Sequence, residues 1–248
     1  MRAGKREAIG SRQTCKSCRH SRDKRMKVIL FGATGMVGQG VLRECLLDPD
    51  VECILSIVRA ATGQLQPKLR ELVHKDFFDF SAVESELAGY DAGLFCLGVS
   101  SAGMKEEDYR RVTYDITLAA ARTLATLNPI STGGMTFIYV SGMGTDSSEK
   151  GRTMWARVKG KTENDLLRLP FKAAYMFRPA AIVPLHGIKS KTKLYQAFYT
   201  LLGPLLPMMY RTFPQYVTTT EQLGRAMLTA AKQGALKSVL ENSDINKF

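Results

Sequence analysis

The stretch from Met26 to Gly40, MKVILFGATGMVGQG, decides the fold. The run Lys27–Phe31 is apolar after its lysine, as in a parallel strand that is buried on both faces. Apolar residues at helical spacing follow a short turn, which contains three glycines at intervals of three: Gly32, Gly35 and Gly38. A strand, a glycine-rich turn and a helix in this order predict the start of a Rossmann-type domain.

The glycine-rich turn has the composition of an anion cradle. Residues without a Cβ let the backbone approach a pyrophosphate, and the first N–H groups of the following helix, together with its dipole, hold the negative charge. The spacing here is G-x-x-G-x-x-G instead of G-x-G-x-x-G, but the steric requirement is the same. A glycine triplet alone is also typical of a plain turn. Its place between the first strand and the first helix favours dinucleotide binding.

The rest of the chain alternates strands with helices, which predicts a doubly wound parallel sheet. A small substrate-side portion is expected after the sixth strand, within a single domain of residues 26–248. A capping box at Thr218-x-x-Glu221 predicts a last helix that ends near Gly234. The predicted strands after the first are Glu52–Val58, Glu71–Phe77, Ala92–Gly98, Met135–Gly142 and Ala173–Pro179, and the predicted helices include 106–127 and 153–168.

Residues 1–25 form a basic arm that is expected to be disordered. The arm holds nine Lys or Arg residues against Glu7 and Asp23, and this accounts for more than half of the net charge of +12. It has too few apolar residues to offset the entropy of ordering. Three interpretations compete: an upstream extension without function, which we favour, a mitochondrial transit peptide, and a nucleic-acid-binding arm. The last lacks the aromatic residues that stack on bases, so we expect no nucleic-acid partner.

The cysteines and the apolar stretches argue for an intracellular protein. The five cysteines are an odd number and three of them lie in apolar runs, so we expect a reducing, cytoplasmic setting. Cys15, Cys18 and His20 resemble part of a zinc site, but no fourth ligand is near, and we predict no metal. The apolar stretch Leu194–Tyr210 contains a glycine and two prolines, and it is too short for a membrane span. It is interpreted as a lid or a substrate-side helix.

The end of the second strand indicates which dinucleotide binds. Enzymes of this fold that use NAD have an acidic residue about 20 residues after the glycine turn, where it accepts from the ribose 2′-hydroxyl. Arg59 stands here instead, and its planar set of donors suits a 2′-phosphate. NADP is therefore the predicted cofactor, while NAD remains open because Arg59 also fits a solvated loop. Asp76 is a candidate for the adenine amino group or for a helix cap.

At this point the sequence resembles the short-chain dehydrogenase/reductase superfamily, in its atypical branch of NAD(P)-binding proteins similar to epimerases and dehydratases. The resemblance runs from Met26 to the C-terminus. It depends on GATGMVG after the first strand, on Arg59, and on four later segments: CLG, FIYVSG, WARVKGKTEN and FRPAAIVP. It implies that Lys159 binds the nicotinamide ribose and that Ser141, or its neighbour Gly142, stands at the position of a serine that holds the substrate oxygen.

The resemblance fails at one catalytic position. It implies a Tyr-x-x-x-Lys pair in which the tyrosine passes a proton to the substrate, but Trp155 lies four residues before Lys159. An indole N–H does not ionise in the working range, so Trp155 cannot be the general acid. Possible substitutes are a bound water or one of four side chains: Lys159, Thr145, Tyr114 and Tyr139. Trp155 is otherwise interpreted as a packed helix residue.

Two functions follow from these residues. The first is an NADP-dependent oxidoreductase or epimerase-like enzyme acting on an unknown small molecule near Tyr195, Phe198, Tyr199 and Leu201. The second is a non-catalytic NADP-binding redox sensor or protein-interaction module. The oligomeric state is left open. The predicted catalytic residues are Ser141 and Lys159, and the predicted cofactor-binding residues are Gly32, Thr34, Gly35, Met36, Val37, Gly38, Arg59, Asp76, Phe77, Leu97, Gly98 and Lys159.

Overall fold

A computed structural model describes residues 25–188 and 215–248. The expected disorder of residues 1–25, apart from Arg25, and the partial zinc motif fall outside the described residues. The expected substrate-side segment Leu194–Tyr210 does so as well. Among the helices that are described, each is too short or too polar to cross a membrane.

The described residues build a seven-stranded sheet in the order β3-β2-β1-β4-β5-β6-β9, and every pairing is parallel. A separate parallel pair joins β7 to β8. This confirms the predicted doubly wound α/β fold. The strands are β1 (Met26–Phe31), β2 (Val51–Val58), β3 (Leu69–Val73), β4 (Ala92–Phe95), β5 (Thr136–Val140), β6 (Ala173–Arg178), β7 (Ala181–Val183), β8 (Val217–Thr219) and β9 (Val239–Glu241).

Helices cover both faces of the sheet, because its buried strands are apolar on both sides. One core contains Val41 and Leu42 of the first helix and Met227 of the sixth. The other contains Leu124 of the fourth helix and Leu166 of the fifth. The helices are α1 (Met36–Leu47), α2 (Glu84–Leu87), α3 (Glu106–Arg110), α4 (Ile116–Leu127), α5 (Met154–Leu166), α6 (Thr220–Gln233) and α7 (Asn242–Ile245).

The long helix predicted over residues 106–127 is present, but it contains a π-helical turn. This turn, Arg111–Asp115, separates α3 from α4 without ending the helix. The hydroxyl of Thr117 in α4 donates to the carbonyl oxygen of Thr113 within this turn at 2.5 Å, and Thr113 is itself buried. Side-chain bonding to the preceding turn competes with the backbone ladder, and no periodicity in the sequence indicates it.

Three predicted boundaries are wrong in detail. The third strand ends at Val73, not at Phe77, because pairing with β2 stops there and the chain turns away. The fourth strand ends at Phe95, not at Gly98. Helix α6 is capped by Thr219, whose hydroxyl accepts from the N–H of Gln222 at 2.9 Å. Thr218, the expected cap, is fully buried and donates to Asn246. The short strands β7, β8 and β9 have no sequence pattern that distinguishes them from loop.

The strand order places the predicted site. From β1 the chain adds β2 and then β3 on one side of the sheet. It then returns to the other side of β1 and adds β4, β5 and β6, so the strand order reverses between β1 and β4. In such sheets ligands bind beyond the carboxyl ends of the strands at this point. The loops after β1, β2, β3, β4 and β5 therefore converge there.

Helix α5 is fixed to the loop after β5 through Gly160. A Cβ at this position would overlap the backbone carbonyl oxygen of Asp146. The N–H of Asp146 also donates to the carbonyl oxygen of Ala156 at 3.1 Å, so loop and helix are joined by backbone contacts. The loop cannot shift without disturbing the residues on both sides of it.

We expect Gly160→Ala to lower the free energy of unfolding by about 1–3 kcal/mol, the usual cost of overpacking a close contact. Gly98→Ala is the matched control, because a Cβ at Gly98 meets no atom within 4 Å. Thermal melting of both variants measures the difference. An unchanged melting temperature for Gly160→Ala would show that the loop is free to move.

Candidate functional site

Gly32 turns the chain directly over the end of β4. Its φ of +83° lies in the left-handed region, and a Cβ would come within 2.8 Å of the backbone of Cys96 and Leu97. Its carbonyl oxygen accepts from the N–H of Gly35 at 2.9 Å. Only glycine fits this approach, as the sequence predicts.

Gly38 brings α1 against the same turn. A Cβ at Gly38 would overlap the carbonyl oxygen of Gly32, so the first turn of the helix lies in backbone contact with the loop. Gly35 occupies the N-cap position without a side-chain cap, and the first turn has no acidic residue. The N–H groups that begin α1 are therefore available to an anion. Thr34, Met36 and Val37 are half-buried along this turn.

Arg59 follows β2, the strand next to β1. Ile57 pairs with Phe31, which places Arg59 two residues beyond the level at which β1 ends. The side chain is exposed, and within the described residues no hydrogen bond or ion pair engages its guanidinium. An unengaged cation beside an anion cradle suits a phosphate group.

Asp76 and Phe77 lie in the loop after β3, where Asp76 stabilises a turn and Phe77 packs into the core. The exposed carboxylate of Asp76 accepts from the N–H of Phe78 at 2.9 Å, which stabilises the turn. Phe77 is 7% exposed and its ring packs edge-on against Phe31, 6.4 Å between ring centroids. A ligand would meet Phe77 through its backbone. After β4, Leu97 is half-buried and Gly98 is exposed.

Ser141, directly after β5, has its hydroxyl engaged inside the protein. Its Oγ lies 2.5 Å from Oε1 of Glu163 and 3.1 Å from the carbonyl oxygen of Phe177. Ser141 is 6% exposed and Glu163 is 1% exposed. This geometry gives the hydroxyl a structural role in the described conformation. The catalytic role predicted for Ser141 stays a prediction.

Glu163 forms a buried ion pair with Arg178. The Nε of Arg178 donates to both carboxylate oxygens, at 3.0 and 3.2 Å, and Nη2 also contacts Glu163. The other donors of Arg178 reach Ser147 at 2.6 Å and Glu241 at 3.1 Å. A single guanidinium therefore links α5, the loop after β5 and the end of β6.

Lys159 and Gly142 face each other across the end of β5. Nζ of Lys159 donates to the carbonyl oxygen of Ser141, and a Cβ at Gly142 would lie 4.0 Å from this Nζ. Gly142 has a φ of +146°, which strongly disfavours other residues. Burial lowers the pKa of Lys159 from 10.5 to about 8, although the charge of Glu163 opposes the shift. The position that faces the lysine is thus Gly142, which has no hydroxyl.

Trp155 and the side chains proposed as substitute proton donors are engaged in other contacts or buried. Trp155 lies over Gly144, where a Cβ would be 3.5 Å from the ring. Tyr139 is in the core, and burial raises its pKa. Tyr114 donates to Asp165 at 2.7 Å, and Thr145 donates to the carbonyl oxygen of Gly142 at 2.7 Å. Lys159 is the ionisable group that remains among these candidates.

Sequence reasoning missed Glu163 and Arg178. The available signal was a carboxylate one helical turn after Lys159, followed by an arginine at the end of an otherwise apolar strand. Charged residues at two positions that the fold buries are expected to be paired. Nothing in the sequence alone showed that both positions are buried or that they meet.

Comparisons with known proteins agree with this geometry at the level of the fold. No family model matches the chain. Solved structures that it resembles include DesIV, a dTDP-glucose 4,6-dehydratase from Streptomyces venezuelae with NAD bound, at a TM-score of 0.62 and 16% identity, covering 87% of this chain and 75% of that one. A UDP-N-acetylglucosamine 4-epimerase from Methanobrevibacter ruminantium matches at a TM-score of 0.63 and 13% identity. The match covers 88% of this chain and 76% of the epimerase. These structures share the fold of this chain, and this is the fold that the resemblance implies.

Curated relatives by sequence carry the name "Protein FMP52, mitochondrial". The protein from Meyerozyma guilliermondii is 24% identical over 233 residues, covering 90% of this chain and 94% of the relative. The protein from Candida albicans is 24% identical over 162 residues, which cover 64% of this chain and 68% of the relative. The expected cytoplasmic location is wrong by this comparison, since these names point to mitochondria. An odd number of cysteines indicates a reducing compartment, and it does not separate one such compartment from another.

We expect Glu163→Gln to lower the free energy of unfolding by about 3 kcal/mol, because it leaves the buried Arg178 without its main charge partner. Ser141→Ala removes one hydrogen bond and should cost about 1 kcal/mol. Chemical denaturation measures both changes. If the two residues act as one network, the double variant costs less than the sum of the single variants. If the cost of the double variant equals the sum of the two single costs, Glu163 and Ser141 do not act as one network.

Proposed function

We propose that this chain binds a nicotinamide dinucleotide across the carboxyl edge of the sheet. The observation that carries the proposal is the cradle formed by Gly32, Gly35 and Gly38 at the start of α1. Backbone contacts leave no room for a Cβ at Gly32 or Gly38, and the first-turn N–H groups have no side-chain cap. A pyrophosphate supplies the charge and the size that this cradle accepts. The dehydratase that shares the fold has NAD bound, which supports the same cofactor class.

The adenosine end is proposed to lie beside Arg59. No acidic residue follows β2 in the loop that begins there, so the usual acceptor for a ribose 2′-hydroxyl is missing. The exposed guanidinium supplies donors for a 2′-phosphate instead. NADP(H) is therefore the preferred cofactor of the proposal.

The nicotinamide end is proposed to lie beside Lys159, at the end of β5. Its ammonium group has one described hydrogen bond, to the carbonyl oxygen of Ser141, which leaves donors for ribose hydroxyls. When bound, the nicotinamide ring would supply hydride transfer. Gly142 opens space next to Nζ. Trp155, in the first turn of α5, lies over Gly144.

Two functions are compatible with this placement. An NADP-dependent oxidoreductase or epimerase-like enzyme acting on a small molecule is supported by the shared fold. A redox sensor that binds NADP without catalysis is supported by three features of the site: Trp155 replaces the proton donor, the hydroxyl of Ser141 is engaged by Glu163, and Gly142 has no hydroxyl. Proton transfer by a positioned group contributes about 10²- to 10⁴-fold, so its loss separates the two functions in rate.

We expect the natural protein to bind NADPH more tightly than NADH, and Arg59→Ala to reduce this preference about tenfold through loss of a charge-assisted contact. Isothermal titration calorimetry with both cofactors is the measurement. Arg122→Ala is the matched control, because Arg122 is an exposed arginine on α4. Equal affinities of the natural protein for the two cofactors would contradict the assignment of NADP(H).

We expect weak or absent reduction of small aldehydes, ketones and quinones by the natural protein, and a gain of activity in Trp155→Tyr. The tyrosine restores an ionisable hydroxyl four residues before Lys159, where an indole stands now. Single-turnover oxidation of bound NADPH measures the rate. Trp155→Phe is the matched control, since it reduces the ring without adding a hydroxyl. Rapid turnover by the natural protein would contradict the sensor function.

A further inference from the structure

A cavity of about 520 Å³ lies along β9, the strand at one end of the sheet. One wall is the turn that follows α6, and the other is formed by residues in and after α7. The glycine cradle after β1 lies elsewhere, because β4, β5 and β6 stand between β1 and β9. The cavity is therefore separate from that cradle.

Tyr175 fixes the turn that forms the first wall. Helix α6 ends where Gly234 takes a φ of +81°, and the N–H of the next residue, Ala235, donates to the hydroxyl of Tyr175 at 3.0 Å. Tyr175 belongs to β6 and is buried, so the turn is attached to the core of the sheet. A ligand gains from such a preformed wall, because little conformational entropy is lost on binding.

Apolar side chains make up most of the lining. Leu240 of β9 is buried and packs in the core, whereas Leu236 is fully exposed and Phe248 is 39% exposed. Two large apolar side chains thus remain in water beside a buried one. Removing apolar surface from water is favourable, so the lining favours a ligand with an apolar body.

The charged side chains at the cavity favour an anion. Lys237 and Lys247 line it together with one carboxylate, Asp244. This carboxylate is engaged, since its Oδ2 accepts from Nζ of Lys237 at 2.7 Å and from the N–H of Glu241 at 3.0 Å. In the part of the chain that the structure describes, no hydrogen bond or ion pair engages the ammonium group of Lys247. A negatively charged group therefore finds an available partner here.

We propose that this cavity binds an amphipathic carboxylate of the medium-chain fatty acid class. The apolar chain lies against Leu236, Leu240 and Phe248, and the carboxylate lies beside Lys247. The volume falls within the range of small-molecule sites, about 300–1,000 Å³. Binding involves no covalent step, and it does not depend on the proposed dinucleotide site.

The test is an NMR titration of the full ¹⁵N-labelled chain with three ligands that separate the chain from the charge. Decanoate has both, acetate has the carboxylate alone, and decyltrimethylammonium has the same chain with a positive head group. Below micelle-forming concentrations we expect decanoate to give saturable amide shifts in residues 233–248, and acetate to give none. Decyltrimethylammonium should bind about tenfold more weakly, because Lys247 repels its charge.

Two variants separate the contributions of the apolar wall and the cation. Leu236→Ser should weaken the binding of both ten-carbon ligands by about tenfold, because each chain loses the same contact. Lys247→Gln should weaken decanoate binding by about threefold without weakening that of decyltrimethylammonium. Both side chains are exposed, so neither substitution disturbs the core. Leu65→Ser, at another exposed leucine, is the matched control and should leave binding unchanged.

Three results would overturn the proposal. Decanoate could bind no better than acetate or decyltrimethylammonium, or its shifts could saturate only outside residues 233–248. The third result is a second copy of this chain in the cavity, which sedimentation velocity would detect as a dimer that Leu236→Ser converts to monomer.

Discussion

The site depends on one steric constraint, the backbone contact between Gly38 in the first turn of α1 and Gly32 at the end of β1. Neither position has space for a Cβ, and the contact fixes where the helix points. Because β4 lies next to β1, the same contact aims the N-terminus of α1 at the place where the strand order reverses. An uncapped helix N-terminus directed at this cleft is a favourable environment for an anion.

A second constraint, the buried pair of Glu163 and Arg178, organises the opposite side of the cleft. The pair engages the hydroxyl of Ser141, and it links β6 to the loop that carries Gly142. It also withholds from Lys159 the carboxylate that lies one turn away. The structural role of Ser141 and the absence, within the described residues, of a hydrogen-bonded carboxylate at Lys159 therefore share one electrostatic arrangement, while burial lowers the pKa of Lys159.

The sequence was sufficient for the sheet and for the glycine-rich turn because each has a local signal, whereas the role of Lys159 was implied only by the resemblance and stays a prediction. Buried parallel strands are apolar runs, and the glycines stand between a strand and a helix. Boundaries were less certain where tertiary contacts decide them, as at Val73, where pairing stops, and at Thr219, which caps α6 in place of Thr218. The Glu163–Arg178 pair was missed because burial of two charges far apart in sequence has no local pattern. The predicted cytoplasmic location was wrong because cysteine usage indicates the redox state of a compartment and does not identify the compartment.

The most direct test of the account is an NMR titration of the ¹⁵N-labelled protein with NADP⁺. The account predicts that the largest backbone amide shifts lie in the first turn of α1, at Gly35 to Gly38, with a second group near Arg59 and a third around Gly142 and Lys159. Shifts confined to surfaces away from the carboxyl edge of the sheet, or no saturable shifts at all, would contradict it. Such a result would mean that the cradle between β1 and α1 is a structural turn and nothing more.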